Sequence, residues 1–354
     1  MRTRIIYPVM SAASAMTLLI ATGAAAQLRL LSDGPQIELR DMVARVVVTP
    51  EDRSDIDIRV RYGSVKVPTL MVSQRGSTTV LNGHMNSAGQ ASHFNFRINV
   101  NDGDAVSSGK VRVSGLGLVN ISDLPLVFVR VPANAVVKDS AYTFGRVGPS
   151  KSLDFIMNGN GEWAIEPVAG PLNIINSGSG AISVASAGDS IVDNMGSGDI
   201  NLGTVRNLQA VLTGSGNFNV TQSNTTLLQN QGAGDVTIKR SGVLKVQLNG
   251  SGDLSLGDVM GGLTVINNGS SDISVQRVNG PVNLDISGSG DVSIAGGQVP
   301  AFNLRGSGSG DVDFGGVTHT VNVDTNGSGD VSIMKATGPV VTKVVGSGEM
   351  HIGH

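Results

Sequence analysis

Residues 248–256 read Leu248-Asn249-Gly250-Ser251-Gly252-Asp253-Leu254-Ser255-Leu256, LNGSGDLSL, and near copies recur down the second half of the chain. Met singly, a Gly-Ser-Gly-Asp word invites reading as a phosphate loop, a calcium loop or a serine nucleophile. Its spacing says otherwise. With the residue after the second glycine as marker, copies stand at Glu162, Ala181, Asp199, Asn217, Asp235, Asp253, Asp272, Asp291, Asp311, Asp330 and Glu349, 18 to 20 residues apart. Eleven copies at so narrow a period indicate a solenoid.

The pattern between markers agrees. After Asp272 the apolar residues are Ile273, Val275, Val278, Val282, Leu284 and Ile286. Near the same offsets, Asp235 is followed by Val236, Ile238, Ser241, Leu244, Val246 and Leu248, and Asp199 by Ile200, Leu202, Val205, Leu208, Ala210 and Leu212. Alternation within each run is the period of a strand, and the breaks fall on glycine or polar residues. About six inward residues per unit cannot enclose a core alone, but units stacked at the ~4.8 Å inter-strand spacing build continuous aliphatic ladders. The expected fold is all-β: a single-stranded right-handed parallel β-helix of about eleven coils of 18–20 residues, roughly 50 Å long, preceded by a smaller β region. Right-handedness is favoured because left-handed coils rest on hexapeptide repeats, and no six-residue sub-period is visible.

Upstream, Arg2 and Arg4, the apolar run Val9 to Ile20 and Ala24-Ala25-Ala26 form a secretory leader, so residues 1–26 are expected to be removed. Residues 27–159 lack the marker but alternate at Ile37 and Leu39, Val46 and Val48, Ile56 to Val60, and Val127 to Val131. They are a small β domain or capping first coils. Turn clusters at Ser32 to Pro35, Asn101 to Asp104 and Gly145 to Ser150 divide them, and residues 160–354 form the repeat domain. Glycine is abundant, 48 residues, while only 12 of 354 are aromatic. No cysteine is available for disulfides or lipidation. Without the leader, 23 basic residues face 28 acidic ones, a net −5 without basic runs, which argues against nucleic acid or anionic lipid as partner. The chain ends at His354 directly after the last marked turn, with no membrane segment expected in the mature protein.

Serial Gly-Ser-Gly-Asp units after an early strand pair (Val46 to Val60) and the strand PLVFVRVPANAVV (Pro125 to Val137) resemble the putative auto-transporter adhesin, head GIN domain family. The resemblance implies a right-handed β-helix similar to pectin-lyase-like folds, a proposed adhesion role and no catalytic residue to transfer. The family's glycine-serine turn falls here on Gly178 and Gly180, Gly196 and Gly198, Gly250 and Gly252, Gly288 and Gly290, Gly327 and Gly329, and Gly346 and Gly348.

These glycines, with Gly214 and Gly216, are structural turns that need either positive φ or close approach of neighbouring coils. At Gly306-Ser307-Gly308-Ser309-Gly310 a strand follows, not the helix that a phosphate loop requires, and the histidines recur at no fixed offset from the serines. The column Asp235, Asp253, Asp272, Asp291, Asp311 and Asp330 is the open question. Neighbouring charges one strand spacing apart repel by about 1 kcal/mol even in water. Either turn amides and solvent relieve this, or Ca²⁺ bridges neighbouring carboxylates as a cation ladder, the one cofactor the sequence suggests. The expected function is a non-enzymatic, adhesin-like binding module, exported to the periplasm or cell surface, whose long face meets a glycan, a protein or its own kind. The alternatives are a structural envelope protein, or a polysaccharide lyase or hydrolase whose aromatic platforms would be Trp163, Phe218, Phe302 and Phe314.

Overall fold

A computed structural model of the chain describes residues 28–85, 92–97 and 108–353. The expected leader, the expected turn at Asn101 to Asp104 and His354 lie outside the described residues. Parallel coils stack into a β-solenoid of about twelve turns. Among the described residues helix is confined to a single 3-10 turn, Ile121–Asp123, and no helix is long and apolar enough to cross a membrane.

Each marked corner is followed by a strand in register with the same strand one coil away. Ile200 pairs with Phe218, Phe218 with Val236, Val236 with Leu254, Leu254 with Ile273, and Ile273 with Val292. A second column runs Leu208, Thr226, Leu244, Leu263, Val282 and Phe302. In the middle of the rod both columns belong to one long bent strand, such as Val236–Leu248; further on they separate, as in Leu254–Val259 and Leu263–Asn267. The side chains at the repeating apolar offsets are buried. Each such aliphatic side chain contributes about 1.5–3 kcal/mol when fully buried. Where the pattern turns polar inside, at Ser223, Thr226 and Ser241, the hydroxyls bond to one another at 2.6 and 3.1 Å, so no buried donor is stranded there.

The first strands build onto the same stack without a glycine marker. Asn134–Val147 pairs in parallel with Ser152–Met157 and Asn160–Ile165 on one side and with Gln36–Glu51 on the other. Beyond Gln36–Glu51 lies Leu126–Pro132, again parallel, and then the direction changes: Asp55–Arg61 is antiparallel to it, and Leu28–Asp33 is antiparallel to Asp55–Arg61. Trp163 marks the junction of unmarked strands and repeats. Its indole is fully buried, lies edge-on to Phe155 at 5.1 Å, and occupies space that a side chain at Gly145, its partner one coil earlier, would fill. Phe218, Phe302 and Phe314 are likewise buried, the last two stacked at 5.1 Å. The four aromatics that could have been sugar platforms are therefore core.

Candidate functional site

The glycine corner is where the coils come closest. A Cβ on Gly250 would overlap the carbonyl oxygen of Gly232, and one on Gly252 that of Gly234; Gly196, Gly198, Gly214, Gly216, Gly288, Gly327 and Gly329 meet the same obstacle one coil earlier. Gly178 abuts the Gly159 carbonyl, Gly290 the Ser271 carbonyl, and Gly180 the Met157 side chain. Among the glycines of these turns only Gly161 and Gly346 have positive φ, 117° and 132°. Close backbone approach, more than left-handed conformation, is thus what selects glycine here.

From Asp199 to Glu349 the marker column is hydrogen-bonded without a break. From Asn217 to Glu349 every marker amide donates to the side-chain Oδ1 of the marker one coil earlier, at 2.7–3.0 Å. The marker carbonyl is used as well: that of Asp253 accepts from the Val236 amide at 2.8 Å, and that of Asp272 from Leu254 at 2.9 Å. Each exposed Asp therefore prolongs the backbone ladder around the corner, where glycine offers no side chain to do so. Bonds from backbone N–H to carboxylate are charge-assisted, and they offset the mutual repulsion of the row. One oxygen, Oδ2, remains on each. Among the described residues no three His, Asp or Glu side chains gather as a metal site would require.

On the inner side of the same corner stands a second column. Buried Asn194, Asn230 and Asn267 each accept from the amide two residues on (Gly196, Gly232 and Gly269) and donate to the carbonyl four residues on (Gly198, Gly234 and Ser271), at 2.8–3.3 Å. Asn176 accepts from Gly178 in the same way and donates to Asn194. Leu212, Leu248 and Ile286 occupy the equivalent place in other coils. Asn at this offset was visible in the sequence, but its alternation with Leu hid it within the apolar pattern.

Asp139 is this column's member in the unmarked strands. It is fully buried, and its Oδ2 accepts from Thr143 Oγ1 at 2.8 Å and from Trp163 Nε1 at 3.1 Å, while Oδ1 has no well-formed hydrogen bond among the described residues. Burial pushes its carboxyl up to about 7, against the pull of those two donors and the Ala141 amide. Half-buried Glu162, at the first marker, is also raised by burial to about 7.

One outer face combines regular spacing with accessible polar groups. On it Asn283, Asn303 and Asn322 form an amide ladder, each side-chain nitrogen donating to the previous oxygen at 2.9 and 2.8 Å. Two residues along each strand runs a column of alternating charge, Asp285, Arg305, Asp324 and Lys343. The columns line a shallow groove of about 700 Å³. Neither column was singled out from the sequence, although both follow from counting outward offsets at the same period.

Comparison with known proteins gives a family and only distant structural likenesses. No curated protein matches the chain. A solved structure from Parabacteroides distasonis, described as a putative lipid binding protein, aligns at 15% identity over 95% of this chain and 99% of that one, with a TM-score of 0.22. A putative adhesin from Parabacteroides merdae aligns at 12% identity over 95% and 99%, with a TM-score of 0.24. Scores this low carry no argument about geometry or function. The family model for the putative auto-transporter adhesin, head GIN domain, in contrast, matches residues 147–258 and again 259–353, the stretch in which the glycine corners recur. With more than half its length so matched, the chain belongs to the head GIN domain family.

Proposed function

We propose that this protein is an exported binding module of the bacterial envelope or cell surface that holds a glycan or protein on an extended face without chemically changing it. The observation that carries this reading is the pair of outward columns, Asn283 to Asn322 and Asp285 to Lys343. They repeat a donor, an acceptor and alternating charge at one strand spacing. The Lys343–Asp324 pair, at 3.6 Å, is mostly exposed, and exposed pairs are worth little. Such side chains exchange partners cheaply, so a ligand can replace the internal contact. Many weak, evenly spaced contacts sum by avidity, which suits an elongated ligand better than a compact one. Membership of an adhesin-type family supports the same reading.

Beads coated with the mature protein are expected to attach to bacterial or host glycan surfaces, and the double variant Asn303→Ala/Arg305→Ala to lose that attachment at least tenfold with its fold retained. Equal attachment by both would refute the role of this face. Incubation with acidic polysaccharides is expected to produce no new reducing ends. Their appearance would show turnover and overturn the non-enzymatic part of the reading.

A further inference from the structure

At the opposite part of the molecule, on the outer face of the antiparallel pair Asp55–Arg61 and Leu126–Pro132, lies a second groove, of about 580 Å³. Its walls carry Arg59, Arg61 and Arg130 around Phe128, with Glu51 and Asp57 at the sides. Two of the three guanidinium groups are engaged internally: Arg59 contacts buried Asp57 at 3.2 Å, and Arg130 contacts Glu51 at 2.8 Å. Arg61 is exposed and has no carboxylate partner among the described residues; its Cζ lies 5.7 Å from the centre of the half-buried Phe128 ring.

We propose that this groove binds a sugar acid, with the carboxylate of a uronate unit paired to Arg61. A guanidinium held over an aromatic face keeps its N–H edge free, and two parallel N–H groups match the two oxygens of a planar carboxylate. Because Phe128 already restricts Arg61, less side-chain freedom is lost on binding. The remaining groups select among anions. Among the described side chains of the groove, three arginines against two carboxylates leave one positive charge, which suits a singly charged carboxylate better than a doubly charged phosphate. Glu51, part-exposed beside Arg130, accepts hydrogen bonds from sugar hydroxyls but repels a compact dianion. The volume falls within the roughly 300–1,000 Å³ of small-ligand sites. This inference goes beyond the proposed function and does not depend on the Asn303 and Arg305 face.

The test is titration calorimetry of the whole mature protein with a trisaccharide of galacturonate, the neutral galactose trisaccharide and inorganic phosphate as probes. Binding of the uronate alone is expected, weakening with added salt. Arg61→Gln, on the surface, is expected to reduce it at least tenfold, Phe128→Leu to reduce it less, and Asn303→Ala/Arg305→Ala to leave it unchanged. No uronate binding by the parent protein, equal binding by Arg61→Gln, or phosphate binding as tight as uronate would each overturn the proposal. Loss of bead attachment with uronate binding intact would separate the two faces.

Discussion

A methyl group added at Gly252 would overlap the Gly234 carbonyl, whereas one at Gly296 would meet nothing within 4 Å. Gly252→Ala is therefore expected to cost roughly 2–4 kcal/mol, because backbone in one coil must move away from backbone in the next. Gly296→Ala is expected to change stability by no more than about 0.5 kcal/mol, as an unobstructed surface substitution does. Urea midpoints of the two variants check both values. At Asp139 the variable is pH. Its folded carboxyl is raised above the ordinary value, so the folded state holds the proton more tightly and the resulting stability is fully present below about pH 4. It is lost as pH rises from there through about 7. Thermal scans of the parent protein are expected to show falling Tm between pH 5 and 8, and Asp139→Asn, which installs the side chain that other coils use at this corner, to flatten that slope. Glu162 contributes in the same sense, so the slope should shrink without vanishing. An unchanged slope in Asp139→Asn would assign the effect elsewhere.

Along a column, the same side chains act as a series. Asp253→Ala removes the acceptor for the Asp272 amide and is expected to cost about 1 kcal/mol, while Asp253→Asn keeps an oxygen there and removes one repelling charge. Denaturant midpoints should therefore place Asn at or above the parent and Ala below it. The triple change Asp253→Asn, Asp272→Asn and Asp291→Asn should lessen the stabilisation that added sodium chloride gives by screening the row. Millimolar Ca²⁺ is expected to leave the parent and the triple variant with equal shifts in Tm, since one spare oxygen per coil falls short of the several that Ca²⁺ takes. A rise confined to the parent would show cations bridging the row. Sequence alone located this column and its period, because Asp recurs beside glycine. It did not reveal that each carboxylate receives the next coil's amide, since that depends on how closely consecutive corners approach. Nor did it reveal the inner Asn column, because a buried polar residue announces itself only through the backbone groups it satisfies.

At the scale of the rod, the repeat length is the unit of tolerance. Deleting residues 236–253 joins Asp235 to Leu254, which already stacks on Val236, and leaves every ladder in phase. The shortened protein is expected to keep its β circular dichroism with a Tm several degrees lower, whereas deleting residues 236–249 should misalign the ladders and yield a protease-sensitive chain. The repeats were legible because eleven copies average out local exceptions. The opening strands were legible only as alternation: Ile56, Ile58 and Val60 show an inward face, but nothing local tells whether a neighbour runs parallel or antiparallel. The Arg61 groove was invisible for the same reason, since Phe128 and Arg61 are 67 positions apart and meet only through that antiparallel register.

Trp163 is the chain's single tryptophan, and it is buried against Asp139 where the unmarked strands meet the repeats. Its fluorescence is thus a reporter of one joint, while circular dichroism averages over the whole rod. If the molecule melts all at once, the two signals will trace one curve. If coils peel away from the distal end, ellipticity will fall while the emission stays blue, and the lag between them will measure how many coils act as one cooperative unit.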